Sequence, residues 1–305
     1  MTQSDELLQQ LRQLTTEQRN TRTREIDLAP TERILELMND EDRGVADAVR
    51  LALGEIARAV DLVTLSFRRG GRLFYAGAGT SGRLGVLDAS ECPPTFGVDP
   101  ALVQGIMAGG PDAVFRSREG VEDHASAGAR DTASYGVSHL DTLVGVTASR
   151  RTPFVLGALA EARRRGAHTV LLRCNDGPAP EADVVITVVP GPEVITGSTR
   201  LKAGTAQKMV LNMISTASMV RIGKVYENLM VDVRPNSAKL IERGKGIVMM
   251  LTELSYADAS AVYEASGRNV KAAVVMHRRG VDRAGAERLL GDAHGLLARA
   301  LGERE

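Results

Sequence analysis

The stretch LFYAGAGTSGR, residues 73–83, joins a short apolar run to a glycine-rich turn that carries two adjacent hydroxyl side chains. The apolar run predicts a buried strand, and residues 83–90 predict a helix directly after the turn. Glycine allows the backbone to turn tightly there and leaves amide groups open to a ligand. This order of strand, glycine turn and helix is typical of an α/β domain with a parallel sheet.

Four further apolar runs continue the alternation of strands and helices. We predict strands over residues 102–108, 142–148, 168–173 and 183–189. Pro111 and Pro153 open the helices after the first two of these runs, at a position where the missing N–H of proline breaks no helical bond. The pattern predicts a doubly wound, mainly parallel five-stranded sheet flanked by helices.

The chain is predicted to have three parts. Residues 1–29 are rich in Gln, Arg and Thr and lack a sustained apolar stripe, which indicates a peripheral tail or a short helix. Residues 30–250 form the α/β domain and include a long helix over about 199–223. Residues 251–305 predict a small C-terminal helical bundle, because they contain three amphipathic segments, near 257–265, 268–277 and 282–300.

The composition of the 305 residues excludes several classes of protein. Lys+Arg and Asp+Glu both number 38, so no net charge attracts a nucleic acid. No apolar run reaches the roughly 18 residues that a membrane span needs, and the N-terminus is polar and acidic. Two cysteines are too few for a disulfide scaffold, and no histidine or cysteine spacing typical of a metal site occurs. We therefore expect a cytoplasmic protein that binds neither nucleic acid, membrane nor metal.

The glycine turn matches the pattern G-x-G-x-x-G, which allows three interpretations. A dinucleotide site needs an acidic residue at the end of the next strand, and residues 107–110, MAGG, provide none. A phosphate monoester suits the turn better, because the amides of Gly79 and Gly82 and the hydroxyls of Thr80 and Ser81 can surround one phosphate. The third interpretation is a tight turn without a ligand.

A second polar loop follows the third predicted strand. It contains Ser149, Arg151 and Thr152, and a helix begins directly after it. Loops at the carboxyl ends of neighbouring parallel strands meet in one crevice. We therefore predict a second phosphate or sugar contact here, with a simple helix cap at Thr152 as the alternative.

Three glutamates are candidates for acid–base chemistry. Glu91 shortly precedes two prolines that restrict the backbone beyond it, so it is a candidate general acid or base, with a solvated surface glutamate as the alternative. Glu122 lies in the acidic stretch EGVED, where spacing alone does not distinguish it from its neighbours. Glu193 lies in the loop before the long helix and is a candidate base or substrate contact. Ser198 or Thr199 is predicted to cap that helix.

Residues 77–97, 197–213 and 228–240 together strongly resemble the N-acetylmuramic acid 6-phosphate etherases, which belong to the sugar-isomerase (SIS) domain family. The resemblance extends from about Leu28 into the C-terminal bundle. A vertebrate relative, the glucokinase regulatory protein, shares the domain but is a much longer binding protein.

The resemblance implies an activity and a set of site residues. The family removes the lactyl ether from C3 of N-acetylmuramic acid 6-phosphate during cell-wall sugar recycling and releases N-acetylglucosamine 6-phosphate and D-lactate. It implies that Glu91 and Glu122 are the catalytic carboxylates. It also implies a homodimer without metal or nucleotide cofactor, in which Lys239 is a candidate contact from the second subunit.

Two other functions and one local departure stay open at this point. An aldose–ketose isomerase of the same fold would use Glu193 as its base and release no lactate, and a sugar-phosphate-binding regulator would not turn over substrate. Arg150 stands where relatives usually have glycine. Arginine there predicts either backbone strain, if the position needs a positive φ, or an additional phosphate contact.

Overall fold

The computed structural model describes residues 14–178 and 180–303, which form two compact units. The first unit contains the chain up to Ser90 and Ala101–Ser215, and the second contains Glu91–Pro100 and the chain from Thr216. This division differs from the predicted boundary near residue 250. The reason is that Tyr226 and Ile247 already belong to the same apolar core as the last helices.

The first unit is built on a five-stranded, wholly parallel sheet in the order β2-β1-β3-β4-β5. The five-stranded doubly wound sheet predicted from the sequence is thereby confirmed. Its three inner strands are completely or nearly buried, as expected when helices cover both faces, and each of the two edge strands keeps two partly exposed residues. The strands are β1 (Leu73–Gly77), β2 (Val103–Met107), β3 (Thr142–Thr147), β4 (His168–Arg173) and β5 (Val184–Thr187).

Eight helices begin in the described part of this unit. They are α1 (Thr31–Asp42), α2 (Val45–Arg50), α3 (Leu53–Arg68), α4 (Gly79–Phe96), α5 (Asp112–Phe115), α6 (Ala125–Ser134), α7 (Pro153–Arg164) and α8 (Lys202–Arg221). Helix α4 begins at Gly79 rather than at the predicted Arg83, because the glycine turn is itself the first helical turn: Gly82 N donates to Ala78 O over 3.2 Å. The same helix continues through Pro93 and Pro94.

The cap of helix α8 differs from the predicted one. The Glu193 carboxylate accepts hydrogen bonds from Lys202 N at 2.9 Å and from Ala203 N at 3.0 Å. These are two of the backbone donors that a helix start leaves unpaired. A side chain nine residues earlier in the chain therefore caps α8, in place of the predicted Ser198 or Thr199.

Residues 14–28 pack against the first unit instead of lying at its periphery. They form three short 3₁₀ turns, and Thr16 is buried. Asn175 accepts a hydrogen bond from Thr16 N at 3.3 Å and donates one to Thr16 Oγ1 at 2.8 Å, while Thr23 Oγ1 donates to Val194 O at 2.9 Å. Polar bonds rather than an apolar stripe fix this segment, so hydrophobic periodicity does not reveal it. Residues 1–13 of the predicted N-terminal tail lie outside the described part of the chain.

The second unit contains a two-stranded hairpin and a group of helices. The hairpin strands are β6 (Val225–Tyr226) and β7 (Leu229–Met230), and the helices are α9 (Ala238–Thr252), α10 (Tyr256–Ala265), α11 (Val270–Arg279), α12 (Arg283–Asp292) and α13 (Leu297–Leu301). The predicted segment 282–300 is two helices, because His294 and Gly295 both have positive φ angles that end the first one. None of the helices in the described chain combines the length and apolarity that crossing a bilayer requires.

Candidate functional site

A pocket of about 260 Å³ lies in the first unit and is lined by the turns that follow β1 and β3. Within the sheet, β2 is the neighbour of β1 on one side and β3 is its neighbour on the other side, so the order of the strands reverses direction at β1. Such a reversal leaves a crevice at the carboxyl ends of the two strands, which is where doubly wound sheets bind ligands. The topology therefore places the two predicted loops at one site.

The first wall of the pocket is the start of helix α4. Gly79, Thr80 and Ser81 line the pocket, and Gly79 adopts φ +54°. Gly82 serves the packing of the turn instead, since a Cβ there would lie 2.5 Å from Gly77 O. Free backbone N–H groups at a helix start, together with two hydroxyls, form a site suited to an anion.

The second wall carries three linked hydroxyl groups. Thr147 Oγ1 lies 2.7 Å from Thr152 Oγ1 and 3.2 Å from Ser149 Oγ, and all three residues line the pocket. Thr152 occupies the N-cap position of α7, but its side chain makes no capping bond to that helix. The hydroxyl is therefore directed to the pocket cluster. Arg151 does not contribute to the lining, although its backbone N–H donates to Ser149 Oγ over 3.3 Å.

Arg150 neither strains the second loop nor lines the pocket. It is absent from the described non-glycine residues with positive φ, so the position does not need glycine. Its Nη1 atom donates to Asp176 O over 2.6 Å. The guanidinium thus bonds to the neighbouring loop. The predicted backbone strain is absent, and the phosphate contact stays a prediction.

The third wall brings carboxylates and arginines into the pocket. Glu122 lies in a 3₁₀ turn that follows Gly120, which has φ +76°, and its side chain is half-buried at the pocket. Glu119 also lines the pocket, although its sequence context indicates only a surface charge. Arg83 lines it as well and donates to Val114 O at 2.9 Å, which ties helix α4 to this wall. The site thus combines hydroxyls, backbone donors and carboxylates.

Three other predicted site residues are not among those that line the pocket. Glu91 and Lys239 both belong to the second unit, and both side chains are exposed. Glu193 is fully buried and caps α8 with both of its oxygens. Burial raises the pKa of Glu193 above 4.5, although the two backbone N–H groups act in the opposite direction.

The sequence reasoning missed several lining residues. Thr16 and Glu17 come from the segment predicted to be peripheral, and Thr147 and Thr199 come from positions interpreted as strand and helix cap. A usable signal existed only for Thr147, which ends the strand before the second predicted loop. The other three reach the pocket through contacts between residues distant in sequence.

Comparison with known proteins gives one consistent group of relatives. The sequence model of the glucokinase regulatory protein N-terminal SIS domain matches residues 55–163. N-acetylmuramic acid 6-phosphate etherase 2 of Vibrio cholerae is 51% identical over 304 residues, which cover 99% of each chain. The N-acetylmuramic acid 6-phosphate etherase of Bacillus subtilis is 52% identical over 95% of this chain and 96% of its own. The enzyme of that name from Mycolicibacterium smegmatis is 52% identical over 95% and 98%.

Proposed function

Because this chain belongs to the family of N-acetylmuramic acid 6-phosphate etherases, we propose that it is a carbon–oxygen lyase that acts on that sugar phosphate. It cleaves the lactyl ether at C3 and releases N-acetylglucosamine 6-phosphate and D-lactate, a step in the recycling of cell-wall amino sugars. The observation that carries the proposal is the 51% identity to an etherase over 99% of the chain.

The two hydroxyl-rich turns hold the 6-phosphate in this proposal. Gly79, Thr80 and Ser81 offer donors at the positive end of the α4 helix dipole, and Ser149 and Thr152 offer donors from the facing wall. Binding energy from a phosphate remote from the reacting carbons orients those carbons for the chemistry. The alternative dinucleotide interpretation has no acidic residue directly at the end of β2, where residues 107–110 are MAGG, to bind a ribose.

The chemistry proceeds through the ring-opened aldehyde. The C1 carbonyl acidifies the C2 proton, so a carboxylate can remove that proton and form an enolate. The electron pair then returns to form a C2–C3 double bond, the C3–oxygen bond breaks, and a carboxylic acid protonates the departing lactate oxygen. Water adds at C3 of the unsaturated aldehyde and restores the proton at C2, which gives the sugar without lactate.

Glu122 is the proposed base for the C2 proton. Its half-buried carboxylate faces the same pocket as the phosphate-binding turns, and a positioned general base typically contributes about 10²–10⁴-fold to rate. We expect Glu122→Gln to lower kcat by about that factor. Asp123→Asn is the matched control, because Asp123 is exposed and outside the pocket lining.

Glu91 is the proposed acid for the lactate oxygen, and the support for this role is the family resemblance of its sequence motif. A Glu91→Ala variant is expected to exchange the C2 hydrogen of the substrate for deuterium without releasing lactate. Loss of exchange in Glu91→Ala together with its retention in Glu122→Ala would reverse the two roles.

Incubation with N-acetylmuramic acid 6-phosphate, followed by assays for lactate and for ketose phosphate, tests the function itself. An isomerase would form a ketose phosphate and no lactate, and a binding regulator would form neither. The isomerase alternative is disfavoured because its base, Glu193, is fully buried with both oxygens bonded to backbone N–H groups. Absence of lactate at saturating substrate would refute the etherase proposal.

A cytoplasmic homodimer completes the proposal. Light scattering of the purified chain measures its mass. A monomer at the concentration used in the activity assay would contradict the proposed homodimer. If Lys239 of one copy contacts substrate bound to the other, mixing Lys239→Ala protein with Glu122→Gln protein should restore activity that each lacks alone.

A further inference from the structure

Gln207 is a buried amide directly behind the anion-binding turn. Its side chain is 1% exposed, and Ser81 Oγ donates a hydrogen bond to Gln207 Oε1 over 2.9 Å. A serine hydroxyl has one proton to donate. With that proton directed at Gln207, Ser81 can only accept bonds from the pocket side. A phosphate dianion offers only acceptors, so the Ser81 hydroxyl in this orientation has no proton to donate to it, and only the backbone N–H of Ser81 is left as a donor.

The other end of the same amide has only a weak potential partner, the thiol of Cys174. Gln207 Nε2 is buried without a hydrogen-bond acceptor, which is an unfavourable state for a polar group. The thiol of Cys174 interacts with this amide. Burial, aided by the charge of Glu193, raises the pKa of that thiol to about 12, although the Gln207 amide acts in the opposite direction. The thiol is therefore protonated at neutral pH and is a poor acceptor for the amide N–H.

We propose that Gln207 is a positioning residue that makes Ser81 a hydrogen-bond donor when a phosphate monoester binds, an inference that rests on the proposed function of this pocket. Half a turn of the carboxamide exchanges its oxygen and its nitrogen, and this terminal torsion is broad and two-fold. Gln207 Nε2 then donates to Ser81 Oγ, and the Ser81 proton is donated to a phosphate oxygen.

The turned amide also finds a partner for its oxygen. The Cys174 thiol donates to Ala203 O over 3.7 Å, and in the turned state it donates to Gln207 Oε1 instead. The three donors of this chain, the Cys174 thiol, Gln207 Nε2 and the Ser81 hydroxyl, then all point from the protein interior towards the pocket. The arrangement favours a ligand that presents only acceptor oxygens, as a phosphate monoester does, over one that presents a hydroxyl.

Calorimetric titration with inorganic phosphate tests the role of Gln207 without any turnover. We expect Gln207→Met, which keeps the side-chain length and removes the amide, to weaken phosphate binding about tenfold. Gln104→Met is the matched control and should bind as the unaltered protein does, because Gln104 donates to Ala101 O at 2.9 Å outside the pocket lining. Unchanged affinity in Gln207→Met would overturn the inference.

A double-variant cycle separates positioning from a general structural effect. If Gln207 acts through Ser81, Gln207→Met should cause no further loss in protein that already carries Ser81→Ala. A full additional tenfold loss in that background would contradict the inference. Cys174→Ser supplies a stronger donor in the same place and should preserve or strengthen phosphate binding, whereas weakening would count against the proposed direction of the bonds.

Nuclear magnetic resonance gives a reading that does not depend on whether Gln207 variants fold. In protein labelled with ¹⁵N-glutamine, the side-chain NH₂ signal of Gln207 should shift on phosphate saturation, because its N–H gains the Ser81 acceptor. The same signal should stay in place in saturated Ser81→Ala protein. A chain that shows these effects but releases no lactate would refute the proposed function and leave this inference standing. A chain that releases lactate and binds phosphate equally well without Gln207 would support the proposed function and refute the inference about Gln207.

Discussion

The Nζ atom of Lys202 lies 2.6 Å from a carboxylate oxygen of Glu41, and the two side chains are only 3% and 4% exposed. This buried ion pair joins helix α1 to the first residue of helix α8. Arg22 pairs with the other oxygen of Glu41. The N-terminal segment that carries Thr16 and Glu17 to the pocket is therefore also held by an ion pair between the largely exposed Arg22 and the buried Glu41.

Removal of the lysine charge should destabilise the protein strongly. Lys202→Met leaves the Glu41 carboxylate buried with one cation fewer, and breaking a buried pair on one side typically costs about 3–5 kcal/mol in the free energy of unfolding. Urea unfolding measures the loss. Arg33→Met is the control, because the Arg33–Glu36 pair is half exposed and such pairs contribute at most about 1 kcal/mol. Equal small losses in both variants would mean that water reaches the Lys202–Glu41 pair.

The stability of the protein should fall in acid through Glu41. Burial alone would raise the pKa of Glu41, but hydrogen bonds from Lys202 and Asn20 outweigh burial and hold the pKa below 4.5. A carboxyl whose pKa is lower in the folded state stabilises the fold above its unfolded pKa, and this contribution is lost as the pH falls through the folded value. Unfolding free energies measured between neutral pH and acid should therefore decline less steeply in Glu41→Gln. Parallel pH profiles would contradict the assignment.

Loss of the Glu193 side chain that caps helix α8 should lower the stability of the protein by an amount that is measured separately from the loss of the Lys202–Glu41 pair. Glu193→Ala leaves the backbone N–H groups of Lys202 and Ala203 without acceptors in a buried place, which we expect to cost about 1–3 kcal/mol. Thermal unfolding of Glu193→Ala is compared with that of Glu32→Ala, since Glu32 is an exposed residue in the first turn of α1. A melting temperature as high as that of the control would show that water replaces the cap.

Arg150→Gly tests the departure from the usual family sequence. Because Arg150 donates to Asp176 O and does not line the pocket, this substitution should leave KM and kcat within about twofold of the unaltered values and lower the stability only slightly. Steady-state kinetics decide the matter. A tenfold rise in KM would restore the interpretation of Arg150 as a phosphate contact.

Asn175→Ala probes how the N-terminal segment supports the pocket. The fully buried Asn175 amide accepts from Thr16 N and donates to Thr16 Oγ1 and to Ala148 O, so it links this segment to the loop after β3. Its removal should raise KM more than it lowers kcat, because phosphate-binding walls shift while the Glu122 turn does not. Val144→Ala, a buried β3 change away from the pocket lining, controls for stability loss alone.

The parallel sheet and the glycine turn after β1 followed from the sequence because their signals are local. A buried strand has to be an apolar run, and a helix start that receives an anion needs glycine amides and hydroxyls next to each other. The strand His168–Arg173 matches its prediction residue for residue, and the other four differ at their ends by one or two residues. Glu122 was identified as a candidate catalytic carboxylate through the resemblance of its surroundings to the etherase family, since spacing alone did not distinguish it from Glu119.

The tertiary structure alone decided which distant residues meet at the site. Thr16 reaches the pocket through Asn175, Glu193 caps a helix nine residues away, and Gln207 stands behind Ser81. None of these contacts leaves a periodic or local trace in the sequence, because each consists of one or two polar bonds between residues at least nine positions apart. The sequence by itself thus determined the sheet and its glycine turn, and the proposal of a phosphate ligand started from that turn. Packing decided which hydroxyls, carboxylates and amides surround that ligand, because hydrogen-bond partners are set by distance in space and not by separation along the chain.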